Sequence, residues 1–293
     1  MKRLMITVLA VTAMASFASA NTPVYNQGFE SDSAGIVNYP GPVTRVASGG
    51  GTLGVTSANG GYHAEVALDG TYGDGFYTWN GGASSVWPGY IKQSISVYIN
   101  PAAGTTGDGW FWDAGINNDG GMWARGGGFG VQKTGGSTWS LGAEDDYGGY
   151  DYVGHTGFTH TNNTPLNITT AGWYTLETEW VESTVNPPYI DQVNSVLSQS
   201  GGLLWTDRVN GVLSTPGWAG GISYSWLGSQ GPQDGDIAAL GYSVQANTME
   251  LLAVDNVYGE IGPAGAVPEP GTMLLLGTGA LGLLGYARRR MSM

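Results

Sequence analysis

From Ile91 to Ile99 the chain alternates with a period of two. Ile91, Gln93, Ile95, Val97 and Ile99 share one side, Lys92, Ser94, Ser96 and Tyr98 the other, and Asn100-Pro101 ends the run. Successive side chains of a strand point to opposite faces, so this pattern specifies a half-buried strand rather than the stripe of a helix. Shorter runs of the same kind occur at 63–68, 109–116, 128–133, 173–181, 220–227 and 249–258, with glycine-rich turns between them. Glycine makes up 51 of 293 residues beside 11 tryptophans and 16 tyrosines. That pairing suits short strands, because glycine opens the backbone conformations of tight turns and large aromatic rings fill the space between sheets. The one helix-compatible stretch, 189–199, contains several β-branched residues and reads as helix or loop. No unit recurs at a constant spacing, which argues against a propeller or solenoid. The expected fold is all-β, a two-sheet antiparallel sandwich of jelly-roll type with one shared core.

The two ends differ from this middle. Residues 1–20 open with Lys2 and Arg3, continue with an apolar stretch and close on Ala18-Ser19-Ala20. A basic start, a short apolar region and an Ala-x-Ala site define a secretory signal peptide, cleaved after Ala20 and delivered through the Sec machinery. Residues 263–293 carry Val267-Pro268-Glu269-Pro270-Gly271, an apolar segment at 272–287 and the cluster Arg288-Arg289-Arg290. Such arginines resist translocation, so the segment is expected to pause in the membrane with the domain of residues 21–262 outside. About 16 apolar residues is short for a permanent span, and the glycines weaken its helix further, so a transient membrane stop is expected. The formal charge is −13, with half of the basic residues in these end segments. An acidic middle repels nucleic acid and anionic lipid and leaves neutral partners and divalent cations as the compatible classes. With no cysteine, disulfides and thiolate chemistry are excluded.

Val267-Pro268-Glu269-Pro270, an apolar stretch and an arginine cluster, in that order, resemble the PEP-CTERM sorting signal of Gram-negative bacteria. The resemblance implies export across the inner membrane, retention by the C-terminal helix and processing near Pro-Glu-Pro by the membrane protease exosortase. It implies residence in the cell envelope, on the cell surface or in an exopolysaccharide or biofilm matrix. A second resemblance, to concanavalin A-like sandwiches, rests on Gly89-Tyr90-Ile91, Gly107-Asp108-Gly109, Trp112-Asp113-Ala114-Gly115-Ile116-Asn117, Ala171-Gly172-Trp173-Tyr174 and Leu252-Ala253-Val254-Asp255-Asn256. The opening Asn26-Gln27-Gly28-Phe29-Glu30 is similar to the start of carbohydrate-binding jelly rolls. These resemblances imply a sandwich that contacts extracellular polysaccharide, and a structural Ca²⁺ joining Glu30 near the first strand to Asp255 near the last. No other cofactor is expected.

Three candidate sites follow. Trp110, Trp112, Asn117, Asn118, Asp119, Trp123 and Trp139 combine aromatic planes, on which the C–H face of a sugar stacks, with amide and carboxylate partners for its hydroxyls. Because Trp110 and Trp112 share one strand face, both are core or both are exposed. The pair Glu30 and Asp255 offers oxygen ligands to a hard cation. Glu177-Thr178-Glu179-Trp180-Val181-Glu182 resembles the catalytic strand of laminarinase-type β-glucanases. That resemblance makes Glu177 nucleophile and Glu182 acid/base, although Glu182 reaches the face of Glu177 only across a bulge. The preceding Trp173-Tyr174-Thr175-Leu176 matches the non-enzymatic landmark better, and the expected function is a non-catalytic glycan-contacting surface module. A structural or adhesive protein without a ligand is the alternative of another class.

Overall fold

A computed structural model describes residues 21–39, 42–68, 75–79, 87–118, 123–125, 127–144, 159–162, 164–184, 189–214, 218–229 and 251–263. Every regular element among them is a strand. The first half comprises β1 (Thr22–Gln27), β2 (Ile36–Tyr39), β3 (Val43–Ala47), β4 (Tyr62–Val66), β5 (Gly75–Trp79), β6 (Tyr90–Ile99), β7 (Gly109–Asn118) and β8 (Trp123–Arg125). The second comprises β9 (Gly128–Gly135), β10 (Thr138–Glu144), β11 (Thr159–His160), β12 (Leu166–Ile168), β13 (Gly172–Glu182), β14 (Tyr189–Ser198), β15 (Leu203–Ser214), β16 (Trp218–Ser229) and β17 (Leu252–Gly262). The signal-peptide and C-terminal readings lie outside the described residues.

The strands form two antiparallel sheets. The first runs β11-β15-β14-β13-β6-β17-β4-β3, with β1 also paired to β17; the second runs β12-β10-β9-β7-β16-β5-β2, with β8 on β7. Their central parts mirror each other: β6, β17, β4 and β3 of the first stand in the same order as β7, β16, β5 and β2 of the second. Each matched pair is also adjacent in sequence, so one antiparallel ribbon wraps across both sheets. That winding is the jelly roll expected from the alternation pattern.

The alternation of β6 sorts its residues as expected. Ile91, Ile95, Val97 and Ile99 face the second sheet and are buried. From the second sheet Trp110, Trp112, Phe129, Val131 and Trp139 enter the same core. Trp112 stacks on Phe129 with centroids 6.0 Å apart, and Phe129 lies 6.1 Å from Trp205 of the first sheet, so an aromatic ladder spans the sandwich. A smaller apolar cluster holds Ile91, Ile116, Trp180, Ile190, Val209 and Ile222. Between the two runs a polar layer. Gln93 donates to the Gly115 carbonyl at 3.2 Å and accepts from the Tyr25 hydroxyl at 3.1 Å, and Thr178 donates to Asn194 Oδ1 at 2.8 Å. Burial is tolerated there because the groups bond across strands.

The reading of 189–199 as helix or loop is corrected: β14 is a ten-residue strand between β13 and β15. Ile190, Gln192, Asn194 and Val196 face inward. The two amides among them break the apolar periodicity that marks a strand, while the β-branched residues fit the pleat.

Candidate functional site: the outer face of the first sheet

Trp110, Trp112 and Trp139 are 0%, 0% and 1% exposed. Trp112 Nε1 donates to Ser225 Oγ at 2.7 Å and Trp139 Nε1 to the Asn100 carbonyl at 3.2 Å. Both faces of each ring are occupied by protein, so none stacks on a sugar. The physical reason is their parity on β7 and β10, which turns them toward the first sheet. Asn117 and Asn118 end β7 and Trp123 begins β8, where Asn117 pairs with Trp123. Asp119 lies outside the described residues.

The two terminal-strand carboxylates come together around one loop, residues 48–61. Glu30 accepts from the backbone N–H of Gly61 through both oxygens, at 3.1 and 3.0 Å, and Asp255 accepts from Asn59 at 3.1 Å and Asn256 at 2.8 Å. Burial pushes the Asp255 carboxyl up to about 6; N–H donors from Asn59, Asn256 and Ala58 oppose the rise, and the Glu30 charge adds to it. Phe29 and Asn256, beside these carboxylates, hold φ of 58° and 48°, a left-handed conformation unusual for a bulky side chain. Gly60, at φ 64°, lets the Glu30 carboxylate approach so closely that a Cβ there would collide with it. A third carboxylate, Glu65, accepts from Thr52 and Leu53 N–H at 2.9 and 2.7 Å and anchors the far side of the loop. Two carboxylates offer part of the six to eight oxygens Ca²⁺ takes, and backbone carbonyls would have to supply the rest. No group of three or more acidic or histidine side chains is poised for a metal among the described residues.

The outward face of the first sheet carries what sequence reasoning missed. The register aligns Glu260, Lys92, Glu179, Val193 and Arg208 in one row across β17, β6, β13, β14 and β15. The next row is Tyr258, Ser94, Glu177, Ser195 and Thr206. Strands lie about 4.8 Å apart, so five of them make a platform about 19 Å wide. Lys92 Nζ lies 2.6 Å from Glu177, with both side chains about one-fifth exposed. Tyr90 donates to Glu179 at 2.8 Å and Tyr258 to Glu260 at 2.8 Å. Burial, then the Glu179 charge and hydrogen bond, then Glu260 and Glu177, raise the Tyr90 phenol far above its usual range, so it remains a donor. Arg208 meets the buried Asp191 at 2.9 Å, and Tyr98, two rows beyond Ser94 on the same face, lies edge-on to Trp173 at 5.6 Å. The residues that build the platform come from strands up to 168 positions apart, and local sequence carries no sign of that pairing.

The register of β13 runs without a shift against both β6 and β14. It lacks the bulge that a Glu177/Glu182 pair needs, so Glu182 has the opposite parity from Glu177. The proposed nucleophile and acid/base face opposite sides of the strand.

No curated protein sequence matches the chain. A carbohydrate esterase from the Shiga toxin-encoding bacteriophage phi24B shares 10% identity, with 83% of this chain and 100% of that one covered, at a TM-score of 0.47. The CBM22-1 xylan-binding domain from Paenibacillus barcinonensis Xyn10C gives 10% identity, 85% and 99% coverage and 0.38, and Bacillus licheniformis β-glucanase gives 10%, 81% and 97%, and 0.35. Likeness of this degree carries no statement about ligand or activity. Residues 266–290, which include Val267-Pro268-Glu269-Pro270 and Arg288-Arg289-Arg290, match the PEP-CTERM protein-sorting motif, the mark of an exported, exosortase-sorted protein of the cell envelope or surface.

Proposed function

We propose that this exosortase-sorted surface protein is a non-catalytic module that holds a neutral extracellular polysaccharide on the outer face of the first sheet. The observation that carries the reading is the two-row platform, in which hydroxyl, carboxylate, ammonium and guanidinium groups recur at strand spacing. A glycan offers hydroxyls as both donors and acceptors along an extended chain, and an array of this kind meets them at successive rings. Charge selects the class. Three glutamates and Asp191 outnumber Lys92 and Arg208, so a polyuronate is repelled. Tyr98 offers a partly exposed aromatic edge further along the same face. The opposite parity of Glu177 and Glu182 supports the absence of glycosidase chemistry, since retaining hydrolysis needs carboxyl groups about 5 Å apart. We also include a structural Ca²⁺ between Glu30 and Asp255 in this reading; the buried Asp255 carboxyl, raised in part by the charge of the exposed Glu30, supports it.

The test is sedimentation with insoluble neutral β-glucan and with alginate gel. The expected result is retention on the glucan, loss of retention in the double variant Lys92→Met/Glu177→Gln with an unchanged melting temperature, and passage through alginate. Equal retention of the variant removes the platform from the function. Reducing ends released from the glucan overturn the non-catalytic reading, and failure to bind any glycan leaves the structural or adhesive alternative.

A further inference from the structure

We propose that the folded sandwich itself governs access of the exosortase to the sorting motif, and that the end of the sandwich bearing Asn21, Tyr90 and Gly262 is the surface that meets this membrane protease. The inference rests on the match at residues 266–290 and is independent of the glycan reading.

β17 is held on both edges to its very end. On one side Glu260, Ile261 and Gly262 pair with Lys92, Ile91 and Tyr90 of β6. On the other Glu260 and Ile261 pair with Pro23 and Thr22 of β1. Side chains reinforce the seam: Asn21 Nδ2 donates to Glu260 Oε1 at 3.0 Å, and Asn21 lies so close to Gly262 that a Cβ there would strike it. The last strand is therefore central, not a fraying edge. Only residues 263–265 separate Gly262 from the first residue of the matched motif. An extended residue covers about 3.5 Å, so Pro268 lies within about 20 Å of Gly262. A domain of this length is roughly 45 Å across, about twice that reach.

A protease binds its substrate extended and needs free chain on the N-terminal side of the cut. Here that stretch is the short spacer followed at once by a doubly paired strand. The enzyme must fit against the sandwich end, or the last residues of β17 must first open. The other terminus leaves from the same spot. Thr22 faces Ile261 across the seam, so the first and last strands of the sandwich end side by side.

The test uses the full chain in Gram-negative cells with and without exosortase, followed by pulse-chase, gel mobility and mass spectrometry of the mature C-terminus. Two variants change the spacer alone: a flexible Gly/Ser insertion between Pro263 and Ala264, and deletion of residues 263–265. The expected result is a several-fold shorter processing half-time for the insertion and a several-fold longer one for the deletion, with the melting temperature of the sandwich unchanged. Equal half-times for all three chains overturn the proposal. Equal trimming of the wild-type chain in cells without exosortase overturns it at its base, together with the sorting assignment.

Discussion

Asp255 converts its burial into a pH dependence of stability. Its side chain is 0% exposed, and its carboxyl titrates at about 6 against 3.8 in an unstructured chain. A carboxyl whose folded value is raised is neutral in both states below about pH 4, where it costs nothing; as pH rises through the folded value it must be charged where charge is disfavoured. At about 1.4 kcal/mol per unit, the penalty at pH 7.5 is about 3 kcal/mol, of which about 2 kcal/mol is relieved at pH 4.5. For a domain of this size that corresponds to a rise of about 4–8 °C in melting temperature. Other carboxylates titrate over the same range, so the measurement is a difference: thermal melts of wild type and Asp255→Asn in EDTA from pH 7.5 to 4.5. Wild type gains on the variant as the pH falls. Adding Ca²⁺ tests the cation reading in the same experiment: a bound ion raises the wild-type melt at pH 7.5 and does so less at 4.5, because proton and cation compete for the same oxygens. Parallel curves for wild type and variant in EDTA refute the reasoning.

Lys133 is 2% exposed, with Nζ donating to the carbonyls of Pro101 and Ala103 and lying 5.7 Å from the Trp139 ring centre. Lys133→Met keeps the stem but strands two carbonyls, and is expected to lower stability by about 2–3 kcal/mol, read as a shifted urea midpoint at constant slope. Trp112→Phe removes the bond to Ser225 and part of a core ring; it is expected to cost about 1–3 kcal/mol by the same assay while leaving glycan retention unchanged.

The fold was legible where one face of a strand is apolar. In β6 the isoleucines and Val97 announce their side, and β4, β7, β9, β13, β16 and β17 all fall on runs read from the sequence, with ends that shift by a few residues. Legibility failed where inward positions are polar. Gln192 and Asn194 disguise β14, because the Thr178 hydroxyl that donates to Asn194 Oδ1 belongs to another strand. The tryptophans were misplaced for a related reason: a ring suited to a sugar is equally suited to a core, and only the mate of a strand decides between them. The platform was invisible because Glu260, Lys92 and Glu179 become neighbours only through register. Glu177 and Glu182 illustrate the converse, since their roles depended on a bulge that local sequence neither requires nor forbids.

The position of β17 between β6, β4 and β1 also shapes how the chain folds. Its partners lie between about 160 and 240 positions upstream, so its sheet contacts span nearly the whole domain, and folds dominated by such distant pairings form slowly. β1, and the inner edges of β4 and β6, have no mate until the final strand has emerged. A chain with that wiring closes its first sheet only once its last strand is in place.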